Sequence, residues 1–304
     1  MRVAVVMGGN SSERLISIKS GNAVVLALEK ENIEVFSCIY KGNIKDYISK
    51  LKAFDVVFLA LHGGEGENGK IQEILERENI VYTGSKPKPS ALAMDKSMAK
   101  KIMVENNIPT PAWRFFEDEK IFRMCKDKKI EFDFPFVVKP NSEGSTVGLT
   151  IVKSSRELDG AVDKASSCNN GLLFEEYIPG RELAIGVLGN KTLPCVEIIP
   201  SHDHYDFDCK YQEGMSKYIC PAELSEGLAN KLAQSALSVH EILGCSHYSR
   251  IDFRLTEKNS FFCLEINTLP GLTQTSLLPM AATAVGINFS QLIKKLCRMA
   301  INGK

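Results

Sequence analysis

The run Phe261–Asn267 places Glu265 and Asn267 two residues apart in an otherwise apolar stretch. Side chains at i and i+2 share one face of a strand, so the carboxylate and the carboxamide point the same way. Burying them without partners would cost roughly several kcal/mol. A second strand-like run, Tyr248–Thr256, precedes it across the polar tetrad Glu257-Lys258-Asn259-Ser260. Four-residue loops are common in hairpins. Pairing Thr256 with Phe261 sets Asp252 opposite Glu265 and Arg250 opposite Asn267. Directly opposed Cβ atoms lie ~5 Å apart, where two carboxylates repel. A hard dication reverses that sign, because Mg²⁺ takes carboxylate oxygens together with substrate phosphates at about 2.0–2.1 Å. The alternative is a solvated hairpin face that carries its charges by chance.

Other constellations can serve an anionic ligand. Lys139 ends the apolar run Phe136–Pro140 and leads into the small-residue loop Asn141–Gly148. Such a loop can close over phosphates, with the lysine as a point charge, or it can be an ordinary hairpin turn. Glu175 and Glu176 end another apolar run, and Glu182 follows the turn at Pro179-Gly180. These acceptors suit a ribose or an adenine amine, or they form an acidic surface corner. His62 precedes a glycine-rich turn at a strand end, where open α/β sheets bind ligands, although a lone histidine is more often structural. His202 and His204 stand two apart without a nearby cysteine or third histidine, which gives a transition metal little support.

These groups must be positioned by a chain of 304 residues, long enough for about two domains. Lys+Arg and Asp+Glu are both 37, a balance that argues against a broad nucleic-acid surface. Nine cysteines are scattered without a CxxC pair, as buried thiols of a reduced protein are. The chain enters a strand at once, and no apolar run reaches the ~18 residues of a membrane span, so a cytoplasmic protein is expected. Strand-like runs near 2–8, 34–40 and 55–64 alternate with helical spacing over about 10–33, 44–52 and 69–79, and the segment 80–85 continues the series. That alternation favours a parallel sheet. Ser11 or Ser12 is the expected cap of the first helix. Later helices are expected near 154–166, 225–243 and 289–301, and Pro109 and Pro111 are expected to stop one that begins near Met94.

In order along the chain, MGGNSSERLISIKSG, LHGGEGENG, YTGS, MDK, VVKPNSEGSTVG, EEYIPGRE, KY, SRIDF and LEINTLPGLTQTSLLP resemble the ATP-grasp superfamily. Within it they resemble the D-alanine–D-alanine ligase family, nearly end to end. The resemblance implies an α/β fold of three modules. These are an N-terminal Rossmann-like parallel-sheet domain at 1–92, a central ATP-grasp subdomain at 93–178, and a C-terminal subdomain at 179–304 that carries the metal ligands. It implies ATP-dependent joining of two D-alanines through a D-alanyl phosphate, for peptidoglycan precursor synthesis. D-alanine–D-lactate or D-alanine–D-serine ligation, and nucleotide binding without ligation, are the other readings. The implied cofactors are ATP and two Mg²⁺ or Mn²⁺, and the partners are two D-alanine molecules. No nucleic acid or membrane partner is expected, and a homodimer is.

The resemblance also assigns residues. Asp252, Glu265 and Asn267 match the ligands of the two Mg²⁺ ions. Lys96 and Lys139 match phosphate-binding lysines, and Ser145 the serine of the glycine-rich loop. Glu175 and Glu182 fall to adenine and ribose, with Glu176, Tyr177 and Ile178 completing the nucleotide-binding segment. Glu13 would hold the first D-alanine's ammonium, with His62 also on the substrate side. Arg250 and the Gly271 amide would stabilise an oxyanion, while Ser276 and Leu277 take the second carboxylate. Lys210 and Tyr211 belong to a loop at about 203–219 that closes over the site and excludes water from the acylphosphate. Tyr211 is expected to hydrogen-bond near Ser145 and Glu13. The chain departs from the family pattern at Leu15, Asn68 and Ala99, none of them a metal or phosphate ligand.

Overall fold

The apolar run after Met1 is β1, Arg2–Gly8, and Val3–Met7 are wholly buried, as a parallel strand covered on both faces requires. It pairs in parallel with β2 (Glu34–Tyr40) and β3 (Val56–Leu59), in the order β2-β1-β3. The segment 80–85 continues this sheet only as one bridge, Val57 to Tyr82. Thr83 explains the early end: its hydroxyl accepts the Leu59 amide at 3.0 Å, so a side chain takes the place of a ladder carbonyl. The computed structural model describes residues 1–124, 132–168, 171–202, 205–212 and 214–303.

Two antiparallel sheets follow. The four-stranded one has the order β4-β7-β5-β6, with β4 Trp113–Phe116, β5 Phe136–Pro140, β6 Thr150–Val152 and β7 Leu172–Glu176. Phe116, Phe122, Phe136 and Phe174 pack into an aromatic core beneath it. The six-stranded one has the order β11-β10-β8-β12-β13, with β9 on β8. Its strands are β8 Arg181–Leu188, β9 Lys191–Thr192, β10 Val196–Pro200, β11 Ser216–Ile219, β12 Tyr248–Leu255 and β13 Phe261–Asn267.

Packing does not follow chain order. Ala99 and Met103, on the helix Lys96–Glu105, bury against the six-stranded sheet together with the helix Glu226–Ile242. That helix ends at Glu105, ahead of the prolines, and Asn107 reverses the chain at φ 59°. The helices Leu277–Ala284 and Phe289–Asn302 return to the core of the parallel sheet. The ends of the chain therefore share one core.

Two local expectations change. The first helix runs Arg14–Lys30 with Glu13 at its cap position, and no side chain caps it. Ser11 instead donates to the His62 carbonyl at 2.6 Å, which ties the helix start to the end of the parallel sheet. In the hairpin, Leu255 rather than Thr256 pairs with Phe261, a register one residue off. A bulge at Leu264 adds the missing residue, and Asp252 still meets Glu265 and Arg250 still meets Asn267. The two offsets cancel at the functional end.

Beneath β12, His240 is buried and its Nδ1 lies 2.7 Å from Ser249 Oγ. Burial, with His247 adding a smaller push, lowers the His240 imidazole from 6.5 to about 4. The unfolded chain takes up this proton near 6.5 and the folded chain only near 4. Stability therefore falls as pH falls through that window. We expect about 2 kcal/mol less stability at about pH 5 than at about pH 8 from this group. Urea unfolding checks it: the loss should shrink in His240→Gln, and an unchanged slope would refute the origin.

Candidate active site

The four- and six-stranded sheets face each other across a cleft with two chambers. Lys139, Ile151, Glu175–Ile178, Glu182, Asp252, Arg254 and Leu264 line the first. The second, about 610 Å³, is bounded by Glu13, His62, Ser145, Tyr211, Arg250, Asn267, Gly271, Ser276 and Leu277. Lys96, Glu143, Tyr205, Lys210 and Glu265 line both. Those five form the joint between a slot and a pocket.

In the first chamber Glu175 is 3% exposed and held between two lysines. Lys139 Nζ donates to its Oε1 at 2.9 Å, and Lys100 Nζ lies 2.7 Å from its Oε2. Burial alone would raise this carboxyl; Lys100 and Lys139 overturn that and keep it ionised. Both oxygens are thus paired with lysines, while Glu175 still lines the first chamber. Glu182 keeps more freedom, with one oxygen 3.2 Å from Arg254 Nη1. Burial dominates there and raises its carboxyl. Lys96 Nζ donates to the Glu143 carbonyl at 2.6 Å and stands 3.4 Å from Glu265 Oε2.

Asp252 and Glu265 sit side by side across the hairpin. Both oxygens of Asp252 accept from Arg250, from Nε and Nη2 at 2.7 Å each. Burial works against the guanidinium charge, and Asp252 more than offsets it. Burial would likewise raise Glu265, yet Lys96, Lys139, Lys210 and Arg250 hold its carboxyl at about 2. A carboxylate facing four cations is the reverse of the repelling pair read from the sequence. Asn267 Oδ1 accepts the Leu269 amide at 2.8 Å. With Asp252 and Glu265 it makes a set of hard oxygen donors without sulfur or imidazole, the chemistry that Mg²⁺ and Mn²⁺ select.

The expected contact of the closing loop is present. Tyr211, on the helix Phe207–Tyr211, has its hydroxyl 2.7 Å from Ser145 Oγ and donates to Glu13 Oε1 at 3.2 Å. Ser145 Oγ also donates to Glu13 Oε1. Burial raises the Tyr211 phenol far above its ordinary value, so it stays a donor. Ser145 and Thr146 reach these positions with φ of 50° and 63°, a left-handed turn uncommon for such residues. Burial lowers the Lys210 ammonium, and the Glu265 charge works to restore it. His202–His204 cannot be assessed as a pair, because His204 lies outside the described residues, as do Asp203 and Glu213 of the closing loop.

His62 lines the pocket, but its ring is already engaged, Nε2 with Ser20 Oγ at 2.9 Å and Nδ1 near Glu67 Oε1 at 3.8 Å. That arrangement positions Glu67 and the Gly63 turn. Ser276 stands at the N-terminus of the helix Leu277–Ala284, its hydroxyl accepting the Thr273 amide at 3.0 Å. A carbon added at Gly271 would lie 3.1 Å from that hydroxyl, tighter than an ordinary contact, so the serine would have to shift to admit it. The departures from the family pattern are local. Leu15 is 77% exposed, Asn68 accepts the Lys70 amide at 3.1 Å, and Ala99 packs in the second core.

Sequence reasoning missed Lys100, Glu67, Tyr205, Glu143 and Leu264. Lys100 was findable, because it lies one helical turn after Lys96 and shares its face. Leu264 was not, since consecutive strand residues ordinarily face opposite ways and only the bulge lets both Leu264 and Glu265 line the first chamber.

A buried lysine–glutamate cluster, paired carboxylates and a closing loop between two antiparallel sheets define an ATP-grasp enzyme. Residues 40–85 match the family described as D-ala D-ala ligase N-terminus, and residues 102–298 that described as D-ala D-ala ligase C-terminus. The chain belongs to the D-alanine–D-alanine ligase family. It is 42% identical over 294 residues to the D-alanine--D-alanine ligase of Aquifex aeolicus, covering 96% of this chain and 98% of that one. The ligase of Syntrophotalea carbinolica is 39% identical over 295 residues, covering 97% and 94%. Among solved structures, a Bacillus anthracis D-alanine--D-alanine ligase gives a TM-score of 0.86 at 35% identity, covering 100% of this chain and 98% of that one. A Bacillus anthracis D-alanine--D-alanine ligase complexed with ATP gives 0.83 at 32%, with the same coverage. The VanG D-Ala:D-Ser ligase of Enterococcus faecalis gives 0.82 at 26%, covering 98% and 99%.

Proposed function

We propose that this enzyme joins two D-alanines at the expense of ATP, giving D-alanyl-D-alanine, ADP and phosphate for peptidoglycan precursors. One observation carries the reading: Lys96, Lys210 and Glu265 line both chambers. A phosphoryl group passing from nucleotide to substrate must cross that joint. The first chamber takes ATP, with Glu175 and the segment Glu176–Ile178 on the adenine side. Glu182 faces the ribose, and Lys96 and Lys139 face phosphate oxygens. Asp252, Glu265 and Asn267 would hold Mg²⁺ or Mn²⁺, which neutralises phosphate charge when bound.

In the second chamber Glu13 accepts the first D-alanine's ammonium while Tyr211 and Ser145 fix its carboxylate group. The substrate carboxylate attacks the γ-phosphorus, the bond to ADP breaks, and a D-alanyl phosphate forms. The second amine then attacks that carbonyl, and phosphate leaves. Arg250 and the Gly271 amide donate to the oxyanion, and the Leu277 helix N-terminus with Ser276 receives the acceptor's carboxylate. Tyr211 closes the lid and keeps water from the acylphosphate. The enzyme works in the cytoplasm as a homodimer in this reading. Among the described residues no helix is long and apolar enough to cross a membrane.

The test is incubation with ATP, Mg²⁺ and D-alanine, with D-lactate and D-serine as competitors and products counted by mass. Equal amounts of phosphate and D-alanyl-D-alanine are expected; preference for a competitor would overturn the acceptor. Tyr211→Phe removes the links to Ser145 and Glu13, an expected loss of about 1–3 kcal/mol in the ligation step. Phosphate release should then exceed dipeptide, as acylphosphate is lost to water. A ratio that stays at one would remove Tyr211 from this role.

Lys139→Ala should weaken ATP by about 1.5–3 kcal/mol, the range for a hydrogen bond to a charged group. D-alanine KM should change little. A defect confined to D-alanine would place Lys139 on the wrong side of the joint.

A further inference from the structure

At the lid helix Phe207–Tyr211, three different ligating side chains gather. His202 follows β10, Asp206 precedes the helix, and Cys209 lies within it. One ligand atom from each lies within 4.8 Å of the others. His202 Nδ1 is 2.7 Å from Asp206 Oδ2, while Asp206 Oδ1 accepts the Cys209 amide at 2.9 Å. The two oxygens of Asp206 therefore have separate tasks: one caps the lid helix, and the other faces the histidine. None of the three residues lines either chamber. Cys209 is 1% exposed, yet His202 is open to solvent and offers a way in.

We propose that His202, Asp206 and Cys209 form a binding site for a transition metal of the Zn²⁺ class, which pins the lid closed and slows turnover. Thiolate, imidazole and carboxylate form a borderline-soft donor set that prefers Zn²⁺ or Co²⁺ to Mg²⁺. With bonds of about 2.0–2.3 Å, a tetrahedral ion needs its ligand atoms about 3.3–3.7 Å apart. The three ligand atoms already lie within 4.8 Å of one another, so reaching that spacing takes only a small local adjustment. Binding releases the Cys209 thiol proton, while the hydrogen between His202 and Asp206 moves to the other ring nitrogen as Nδ1 takes the metal, and the fourth position stays open to water. The functional consequence follows from placement. His202 lies just past the end of β10, on the sheet side, whereas Asp206 and Cys209 go with the helix that carries Lys210 and Tyr211. A metal bridging them resists the lid opening that lets product leave.

Co²⁺ titration of the full chain, with Mg²⁺ and ATP in excess to occupy the oxygen site, tests binding without reference to ligation. One equivalent should produce a thiolate-to-cobalt charge-transfer band and be displaced by Zn²⁺. Cys209→Ser, nearly isosteric, should abolish the band, and His202→Ala, at an exposed position, should weaken binding about tenfold or more. Absence of the band, or its persistence in Cys209→Ser, overturns the site. Zn²⁺ should also inhibit dipeptide synthesis at fixed Mg²⁺, with a midpoint shifted about tenfold or more upward in Cys209→Ser. Equal inhibition of both proteins would assign the effect to Asp252 and Glu265 instead. Binding without inhibition would overturn the pinning of the lid.

Discussion

Glu265→Gln is expected to lower turnover by about 10³-fold, about 4 kcal/mol of transition-state stabilisation. The glutamine fills the same volume and can still accept from Lys96, which stands 3.4 Å from the present carboxylate. What it lacks is charge. Glu265 faces Lys96, Lys139, Lys210 and Arg250, a set that already holds its carboxyl at about 2. Without that anion the oxygen site loses half its carboxylate charge just where nucleotide and substrate phosphates meet. Steady-state assays at ordinary Mg²⁺ decide the matter, and near-normal turnover would remove Glu265 from the metal set.

Arg250→Met should cost about 10²–10³-fold in turnover, the range for losing one preorganised oxyanion donor. Its fork now spends Nε and Nη2 on Asp252, both at 2.7 Å, and the rest of the group faces the substrate chamber. Removing it also leaves Asp252 without its cation, which should lower unfolding stability by about 3 kcal/mol. Arg250→Lys separates the two roles. A lysine supplies charge but not a planar pair of donors, so it should restore stability better than turnover. Wild-type turnover in Arg250→Lys would exclude the directed role of the fork.

Much of the site was legible because motif spacing survives folding. Glu265 and Asn267 share a face in any straight strand, whereas the aim of Tyr211 at Ser145 and Glu13 came from the family resemblance. The losses have physical causes. The ion pair of Glu175 with Lys100 was hidden because Lys100 is far from it in sequence and buried on another element. The segment 80–85 has strand composition, but the Thr83 hydroxyl takes over a ladder position. Ser11 has the chemistry of a helix cap, yet the His62 carbonyl 51 residues away competes for it. In each case a distant partner outbids a local preference. The packing of Leu277–Ala284 and Phe289–Asn302 against the first sheet was equally hidden, since an apolar helix face does not name the surface it meets.

The bulge at Leu264 acts as a clutch between the hairpin's tip and its catalytic end. A one-residue change in the turn would ordinarily flip every side chain along the strand to the opposite face. Here the slack is taken up at one position, and the facing of Asp252 and Glu265 is decoupled from turn length. Lineages can therefore lengthen or trim the Thr256–Ser260 tip, with the bulge gained or lost in compensation, while the phosphate chemistry keeps its alignment. For engineering, the tip is the place to insert a tag or reporter, and Leu264 is the residue to leave alone.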